Sequence, residues 1–141
     1  MIETNPIHPN PDDDGGDPLR RALRRCPLET YEAALTYRRT RSQVNIGPIV
    51  TGILARYATP EARDRLKRPD PALRLVEDLG LDSLDKFQAV MLLEEVMQLN
   101  INDRALAEMT TLGDVLRVVG GIAANEAVGP LGVMSNQNAM A

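Results

Sequence analysis

Apolar residues recur at helical spacing in four segments between residues 48 and 124 of this chain. The first segment contains Ile49, Val50, Ile53, Leu54 and Tyr57. This stripe predicts helix I, and similar stripes predict helix II from Ser83 to Gln98, a short helix III to about Met109, and helix IV after it. Helix IV carries Leu112, Val115, Leu116, Val119 and Ile122. We therefore expect an all-α four-helix bundle.

A long connection at residues 59–82 separates helices I and II and contains Pro60, Pro69 and Pro71. Connections of this length within a compact domain are usually functional or well packed. We expect four apolar side chains to hold it against the core, namely Leu73, Leu75, Val76 and Leu79. The candidate helix caps are Asp82 or Ser83 for helix II, Asn102 or Asp103 for helix III, and Thr110 or Thr111 for helix IV.

Two short helical patterns precede the bundle. The first contains Leu19, Ala22 and Leu23, and the second contains Leu28, Tyr31 and Leu35 after Pro27. We expect residues 19–47 to form a basic helical arm and connector, with Leu28, Tyr31 and Leu35 packed on the bundle or on a partner. Residues 1–18 contain four prolines and five acids and predict a disordered leader. Residues 125–141 predict a flexible tail.

Composition agrees with an aliphatic, helical core. The chain has 141 residues with one Phe, three Tyr and no Trp, so aromatic packing and strands are disfavoured. A single cysteine and a single histidine, His8, exclude an internal disulfide and leave little for metal binding or histidine-dependent catalysis. No apolar run reaches the length of an integral membrane segment and no signal peptide is evident, which predicts a cytoplasmic protein.

Charge is segregated along the chain although the net charge is only −4. Residues 19–68 hold twelve basic and four acidic side chains, whereas residues 69–141 hold four and eleven. The basic arm admits four interpretations: a solvated helix, packing onto the acidic bundle, docking to a partner enzyme, or contact with anionic lipid or nucleic acid. Nucleic acid is disfavoured because the chain lacks a nucleic-acid fold signature.

Ser83 stands where the turn at Gly80 meets the predicted start of helix II. Its hydroxyl can cap the helix, or it can serve as an attachment point, because a helix start favours an attached phosphate. It is a poor nucleophile for catalysis by the chain itself, since the only nearby basic residue is Lys86, one turn on. The residues alone leave capping and attachment open.

The residues around Ser83 resemble those of the acyl carrier protein family. The similarity runs from Leu75 through Asp85, continues at Met91, Leu93 to Glu95 and Ile101, and ends at Met109 to Leu112. The resemblance spans roughly residues 48–123 and is weakest in helix I. It implies a bundle of acyl-carrier type, with a 4'-phosphopantetheine arm attached to Ser83 between Asp82 and Leu84.

The resemblance also implies a function and a set of partners. A phosphopantetheinyl transferase would load Ser83. Acyl-processing enzymes of fatty-acid, polyketide or related lipid synthesis (ketosynthase, dehydratase, reductase or acyltransferase) would then act on the bound thioester, while the chain, expected to be a monomer, catalyses nothing. A peptidyl or aminoacyl carrier is one alternative. A small helical adaptor without a prosthetic group is another, from a different class of protein.

Helix II is expected to divide into a core side and a docking side. The core side contains Phe87, Ala89, Val90, Leu93, Val96 and Met97. The opposite side also includes Leu92, and the partner-docking candidates on it are Leu84, Gln88, Met91, Glu94 and Glu95. In this family Gln88 is often Glu, and Lys86 adds a cation, so the face is less acidic than usual. This difference suggests dedicated partners.

Two further expectations concern the interior and the thiol. An acyl chain could be sheltered in a cleft lined by Ile53, Leu54, Val90, Leu93, Met97 and Leu112, although these residues could equally fill the core. Cys26 lies among arginines, which could lower its thiol pKa, although an incidental thiol is the simpler interpretation.

Overall fold

A computed structural model describes residues 16–127 of the chain and contains seven α-helices in that range. They are α1 (Pro18–Ala22), α2 (Leu28–Thr40), α3 (Ile46–Tyr57), α4 (Pro60–Arg63), α5 (Ser83–Met97), α6 (Asp103–Glu108) and α7 (Leu112–Ala127). Short 3₁₀ turns cover Gln43–Asn45 and Asp64–Lys67. These residues form no strand, only an isolated antiparallel bridge between Arg74 and Thr111. The all-α prediction is confirmed.

The predicted helices I to IV correspond to α3, α5, α6 and α7. Helix α5 begins at Ser83 as expected. Helix α3 begins at Ile46 instead of residue 48, because the 3₁₀ turn Gln43–Asn45 runs directly into it. Helix α7 continues to Ala127 and so takes in the first residues of the predicted tail. The caps of α6 and α7 lie among the predicted candidates, since Asn102 accepts from the Ala105 N–H at 2.8 Å and Thr111 from the Asp114 N–H at 3.1 Å.

One aliphatic core joins the bundle, the long connection and the arm. The predicted stripe of α3 is buried except for Tyr57, which is half-buried. Leu75 and Leu79 of the connection are also buried, as expected. Val76 is exposed, so its predicted place in the core was wrong. The cause is a tight turn in which the Gly80 N–H donates to the Val76 carbonyl, so that Leu75 and Leu79 face inward and Val76 outward.

Backbone hydrogen bonds tie the connection to the start of α7. The Leu75 N–H donates to the Thr110 carbonyl at 3.0 Å, and the Leu112 N–H donates to the Leu73 carbonyl at 2.8 Å. The Gly113 N–H donates to the Pro71 carbonyl at 2.9 Å. Paired backbone groups allow a long connection to pack against a core at little cost. The segment leading to Ser83 is therefore held on both sides.

The arm packs onto the bundle, but through a different face from the one predicted. The buried residues of α2 are Thr30, Ala33, Ala34 and Tyr37, at spacing i, i+3, i+4 and i+7. Leu28 is 67% exposed and Leu35 is 41% exposed, so these two side chains do not pack on the bundle, and their packing on a partner stays a prediction. Tyr31 is half-buried. Small side chains of α2 form the contact with α3, because Gly52 of α3 allows the two helices to approach closely at Thr30.

Two arginines of the arm bind the C-terminal end of α5. Arg38 donates to the carbonyls of Val96 and Glu95, both at 2.9 Å, and Arg41 donates to the Met97 carbonyl at 3.2 Å. The last carbonyls of a helix lack partners within the helix and carry negative dipole character. The arm is therefore an integral part of the packed unit.

Several sequence predictions lie outside residues 16–127. These are His8, most of the acidic leader, and the tail beyond residue 127. Within the described range, none of the helices is both long enough and apolar enough to cross a bilayer. The same residues contain no cluster of three or more His, Cys, Asp or Glu side chains suited to a metal ion.

The close approach of α2 and α3 can be tested at Gly52. A side chain added there would collide with Thr30, so we expect Gly52→Ala to lower the free energy of unfolding by about 1–3 kcal/mol, measured by urea denaturation. Thr30→Ala in the same chain should restore only part of the loss, because it removes Oγ1 and Cγ2 but keeps the Cβ, which lies 2.8 Å from the added Cβ. Gly47→Ala is the matched control in α3, because a Cβ there meets nothing within 4 Å. Equal stability of the Gly47 and Gly52 variants would contradict the packing described.

Candidate functional site

A constrained turn places Ser83 at the start of α5. Gly80 has a φ of +75°, and a Cβ at this position would lie 2.5 Å from Cγ2 of Thr59. The Thr59 N–H donates to the Leu79 carbonyl at 3.2 Å, and the Leu81 N–H donates to the Leu75 carbonyl at 3.0 Å. Glycine is required at Gly80 both for its backbone conformation and for space. The turn therefore directs the chain from the core into α5.

The N-terminus of α5 is closed by Asp82. Its Oδ1 accepts from the Asp85 N–H at 2.7 Å, and Asp85 Oδ2 accepts from the Asp82 N–H at 3.2 Å. This reciprocal arrangement is a capping box. Of the two predicted candidates for this cap, Asp82 performs it. Ser83 is the first residue of the helix and is not its cap.

The Ser83 side chain is exposed, and its hydroxyl forms no hydrogen bond with any residue in the described range. The backbone N–H groups of Ser83 and Leu84 likewise have no partner there. Unpaired N–H groups and the helix dipole make this position favourable for an anion. No histidine lies within residues 16–127 to activate the hydroxyl. The Ser83 hydroxyl is therefore exposed at a helix start and has no histidine partner in the part of the chain that the structure describes.

Three apolar side chains continue from Ser83 along the exposed side of α5. Leu84 is 61% exposed, Phe87 48% and Met91 50%, and we refer to these three as the apolar stripe. The prediction that Phe87 belongs to the core was wrong. On a helical wheel of 100° per residue, Phe87 lies about 60° beyond Val90, the last buried position on that side. The chain's only phenylalanine is therefore a surface residue beside the candidate site.

Of the other predicted docking residues, two are exposed and one is hydrogen-bonded within the fold. Gln88 and Glu95 are exposed, whereas Glu94 Oε2 accepts from the Ile101 N–H at 2.7 Å and so supports the fold. Leu92 was predicted on the exposed side, but it is buried. It shares a cavity wall with Pro18 and Ala22 of α1, because the arm covers this flank of α5. The accessible face is therefore shifted toward the apolar stripe.

Comparison with known proteins identifies this site. Residues 61–119 match the protein family described as "Phosphopantetheine attachment site". The chain is 46% identical over 46 residues to an acyl carrier protein of Wolinella succinogenes and 37% identical over 49 residues to one of Campylobacter fetus. Over this segment the chain is similar to acyl carrier proteins. The matched segment is a phosphopantetheine attachment domain and includes the turn, the capping box and the apolar stripe.

The similarity to these acyl carrier proteins is confined to part of each chain. The alignment covers 33% of this chain and 60% of the Wolinella succinogenes protein, and 35% and 64% for that of Campylobacter fetus. A Schizosaccharomyces pombe chain, named as a mitochondrial acyl carrier protein, is 38% identical over 53 residues, which are 38% of this chain and 47% of that one. The chain thus spans less than two thirds of the length of these relatives. No solved structure matches it significantly.

The residues predicted to line an acyl cleft lie in the core. All six are buried, namely Ile53, Leu54, Val90, Leu93, Met97 and Leu112. None of them lines the three surface cavities described around the arm. In this structure they provide packing.

The environment of Cys26 raises its thiol pKa, although a lowered value was considered from its arginine neighbours. Burial raises the pKa to about 11, and the nearby charge of Arg56 only partly opposes this. Desolvation disfavours the thiolate more strongly than the cation favours it. The raised pKa contradicts the alternative of an activated thiol and agrees with the simpler interpretation of an incidental one, because burial outweighs the neighbouring cation.

The separate roles of Asp82 and Ser83 predict different stabilities for two variants. Asp82→Ala removes the helix cap and should lower the free energy of unfolding by about 1 kcal/mol. Ser83→Ala removes a hydroxyl without a partner and should change it by less than about 0.5 kcal/mol. Urea denaturation of the unmodified protein measures both. A larger loss for Ser83→Ala than for Asp82→Ala would indicate that the hydroxyl is structural.

The raised pKa of Cys26 predicts slow alkylation. At pH 8 the folded protein should react with iodoacetamide roughly a hundredfold more slowly than the urea-unfolded chain, because the thiolate is the reactive form. The rate should continue to rise with pH toward 11. A rate that levels off below pH 9 would show that burial does not control this thiol.

Proposed function

We propose that this chain carries acyl groups as thioesters on a 4'-phosphopantetheine arm attached to Ser83. The observation that carries the proposal is that capping and exposure fall on two different residues at the start of α5. Asp82 caps the helix, so the exposed hydroxyl of Ser83 has no structural duty. A serine that was only a cap would lose its function if modified, whereas Ser83 can be modified without disturbing the fold.

The surroundings of Ser83 suit an attached phosphodiester. The N–H groups of Ser83 and Leu84 and the positive end of the α5 dipole would offset its negative charge. Lys86, on the same turn, adds a cation that partly balances the carboxylates of Asp82 and Asp85. The exposed Leu84 leaves open space beside the serine for the arm and for an enzyme that attaches it.

Attachment requires an external enzyme, because residues 16–127 contain no histidine that could activate the Ser83 hydroxyl. Ser83 Oγ would attack the pyrophosphate linkage of coenzyme A on a phosphopantetheinyl transferase, lose its proton to that enzyme, and displace adenosine 3',5'-bisphosphate. Once attached, the arm supplies a thiol that forms a thioester with the acyl group. The chain's own contribution is to present Ser83 and the apolar stripe in a fixed relation, and we propose no catalytic activity for it.

The partners would be acyl-processing enzymes of fatty-acid, polyketide or related lipid synthesis. The apolar stripe supports a docking role, because three exposed apolar side chains lie within three turns of Ser83. Gln88 and Glu95 border the stripe and could contribute polar contacts. A monomeric state and a cytoplasmic location remain predictions from the sequence.

Mass spectrometry of the intact protein tests the attachment. After co-expression with a broad-specificity phosphopantetheinyl transferase, the mass should increase by one phosphopantetheine. Ser83→Ala should abolish the increase, and Ser42→Ala, a serine outside the site, should leave it unchanged. No increase with several transferases would contradict the proposal and favour a helical adaptor without a prosthetic group. Loading of an amino acid in preference to an acyl group would indicate an aminoacyl carrier.

A further inference from the structure

Two surface cavities rich in arginine adjoin the exposed face of α5. The first has a volume of about 690 Å³ and includes Gln88 in its wall, and the second has about 470 Å³ and includes Leu92 and Glu95. Three arginines line both cavities, namely Arg24, Arg25 and Arg56. The cavities are therefore neighbouring parts of one cationic surface built from the arm and α3, with α5 as its border.

Two of the cationic side chains are positioned by the fold. Arg56 donates to the Ala22 carbonyl at 3.3 Å and lies over the Tyr57 ring at 5.1 Å. Arg63 of α4 donates to the Ala55 carbonyl at 3.0 Å and also lines the first cavity. Each guanidinium has five N–H donors and therefore retains several for another group. No carboxylate lines the first cavity, among the residues that the structure describes.

The acidic side chains near this surface are largely used within the fold. Asp82 and Asp85 form the capping box, and Glu94 accepts from the Ile101 N–H. Glu95 remains exposed, but it shares its cavity with arginines. Among the described residues, the three carboxylates of Asp82, Asp85 and Glu94 are thus hydrogen-bonded within the fold, and Glu95 shares a cavity with arginines.

We infer that the docking face of this carrier is apolar and cationic, and that it binds partner proteins through acidic residues flanking an apolar patch. The inference rests on the proposed carrier function, which supplies the reason for a partner. The surface extends from Leu84 to Glu95, twelve residues of helix that span about 16 Å. This length matches a protein surface better than a single small anion. Opposite charges on the two surfaces would speed association and exclude partners with basic patches.

A peptide probe tests the sign and place of this surface without an identified partner. Fluorescein-labelled decaglutamate and decalysine are titrated into the full chain at low ionic strength, and binding is followed by fluorescence anisotropy. We expect decaglutamate to bind, and Arg25→Glu with Arg63→Glu to weaken it at least tenfold. The matched control is Arg68→Glu with Arg104→Glu, which changes the net charge equally at exposed positions outside both cavities. This control should weaken binding less than threefold.

Three results would overturn the inference. One is tighter binding of decalysine than of decaglutamate, and another is an equal loss in the cavity and control variants. The third is saturable, Arg25-dependent binding of inorganic pyrophosphate without binding of decaglutamate, which would indicate a small-anion site. Thermal denaturation shows whether the double variant is folded. If it is not, Arg25→Gln alone should still weaken decaglutamate binding about threefold.

The carrier function is judged separately, by the mass increase at Ser83. Ser83→Ala should bind decaglutamate as the original chain does, because the serine is not part of the cationic surface. If a transferase loads the protein but substitution of the cavity arginines does not affect decaglutamate binding, the carrier function is supported and the acidic partner is contradicted. If decaglutamate binding depends on the cavity arginines but no transferase loads the protein, the cationic binding surface is supported and the carrier function is contradicted.

Discussion

The reciprocal hydrogen bonds between Asp82 and Asp85 are the constraint on which the candidate site depends. A helix start needs side-chain acceptors for its first N–H groups, and serine is among the residues that most often provide them. In α5 this demand is met by the capping box, so the hydroxyl of Ser83 is left exposed. The glycine turn at Gly80 and the hydrogen bonds to the start of α7 hold the cap in place. Stability and availability for modification are thus assigned to adjacent residues.

The arm contacts α5 at its C-terminal end and along one flank. Arg38 and Arg41 satisfy carbonyls at the C-terminus of α5, while α1 covers Leu92. A helix supported at both termini is expected to keep its exposed face in a fixed orientation, which favours recognition by a partner. The arm therefore contributes to the fold and defines the borders of the accessible face at the same time.

The helices and their caps could be predicted from the sequence, whereas the burial of individual side chains between helices could not. Periodicity and caps predicted α3, α5, α6 and α7, and the residues around Ser83 indicated the family, because these features depend on near neighbours in the chain. Leu92 is buried because the arm covers one flank of α5, and the sequence around Leu92 could not indicate this. The packing of Thr30 against Gly52, in place of Leu28 and Leu35, likewise depends on how closely two helices can approach. The raised pKa of Cys26 has the same origin, since burial is a tertiary property.

The arm also determines which part of α5 is exposed beside Ser83. Covering Leu92 removes one side of α5 from contact and leaves Leu84, Phe87 and Met91 as the apolar centre. The arm's own cations then border that centre, while the nearby carboxylate of Glu94 is bound to the Ile101 N–H. The chemistry at Ser83 needs only an exposed hydroxyl at a helix start, so it places no demand on the charge of the surrounding face. If Ser83 is the attachment site as proposed, the arm would alter the choice of partner without altering that site.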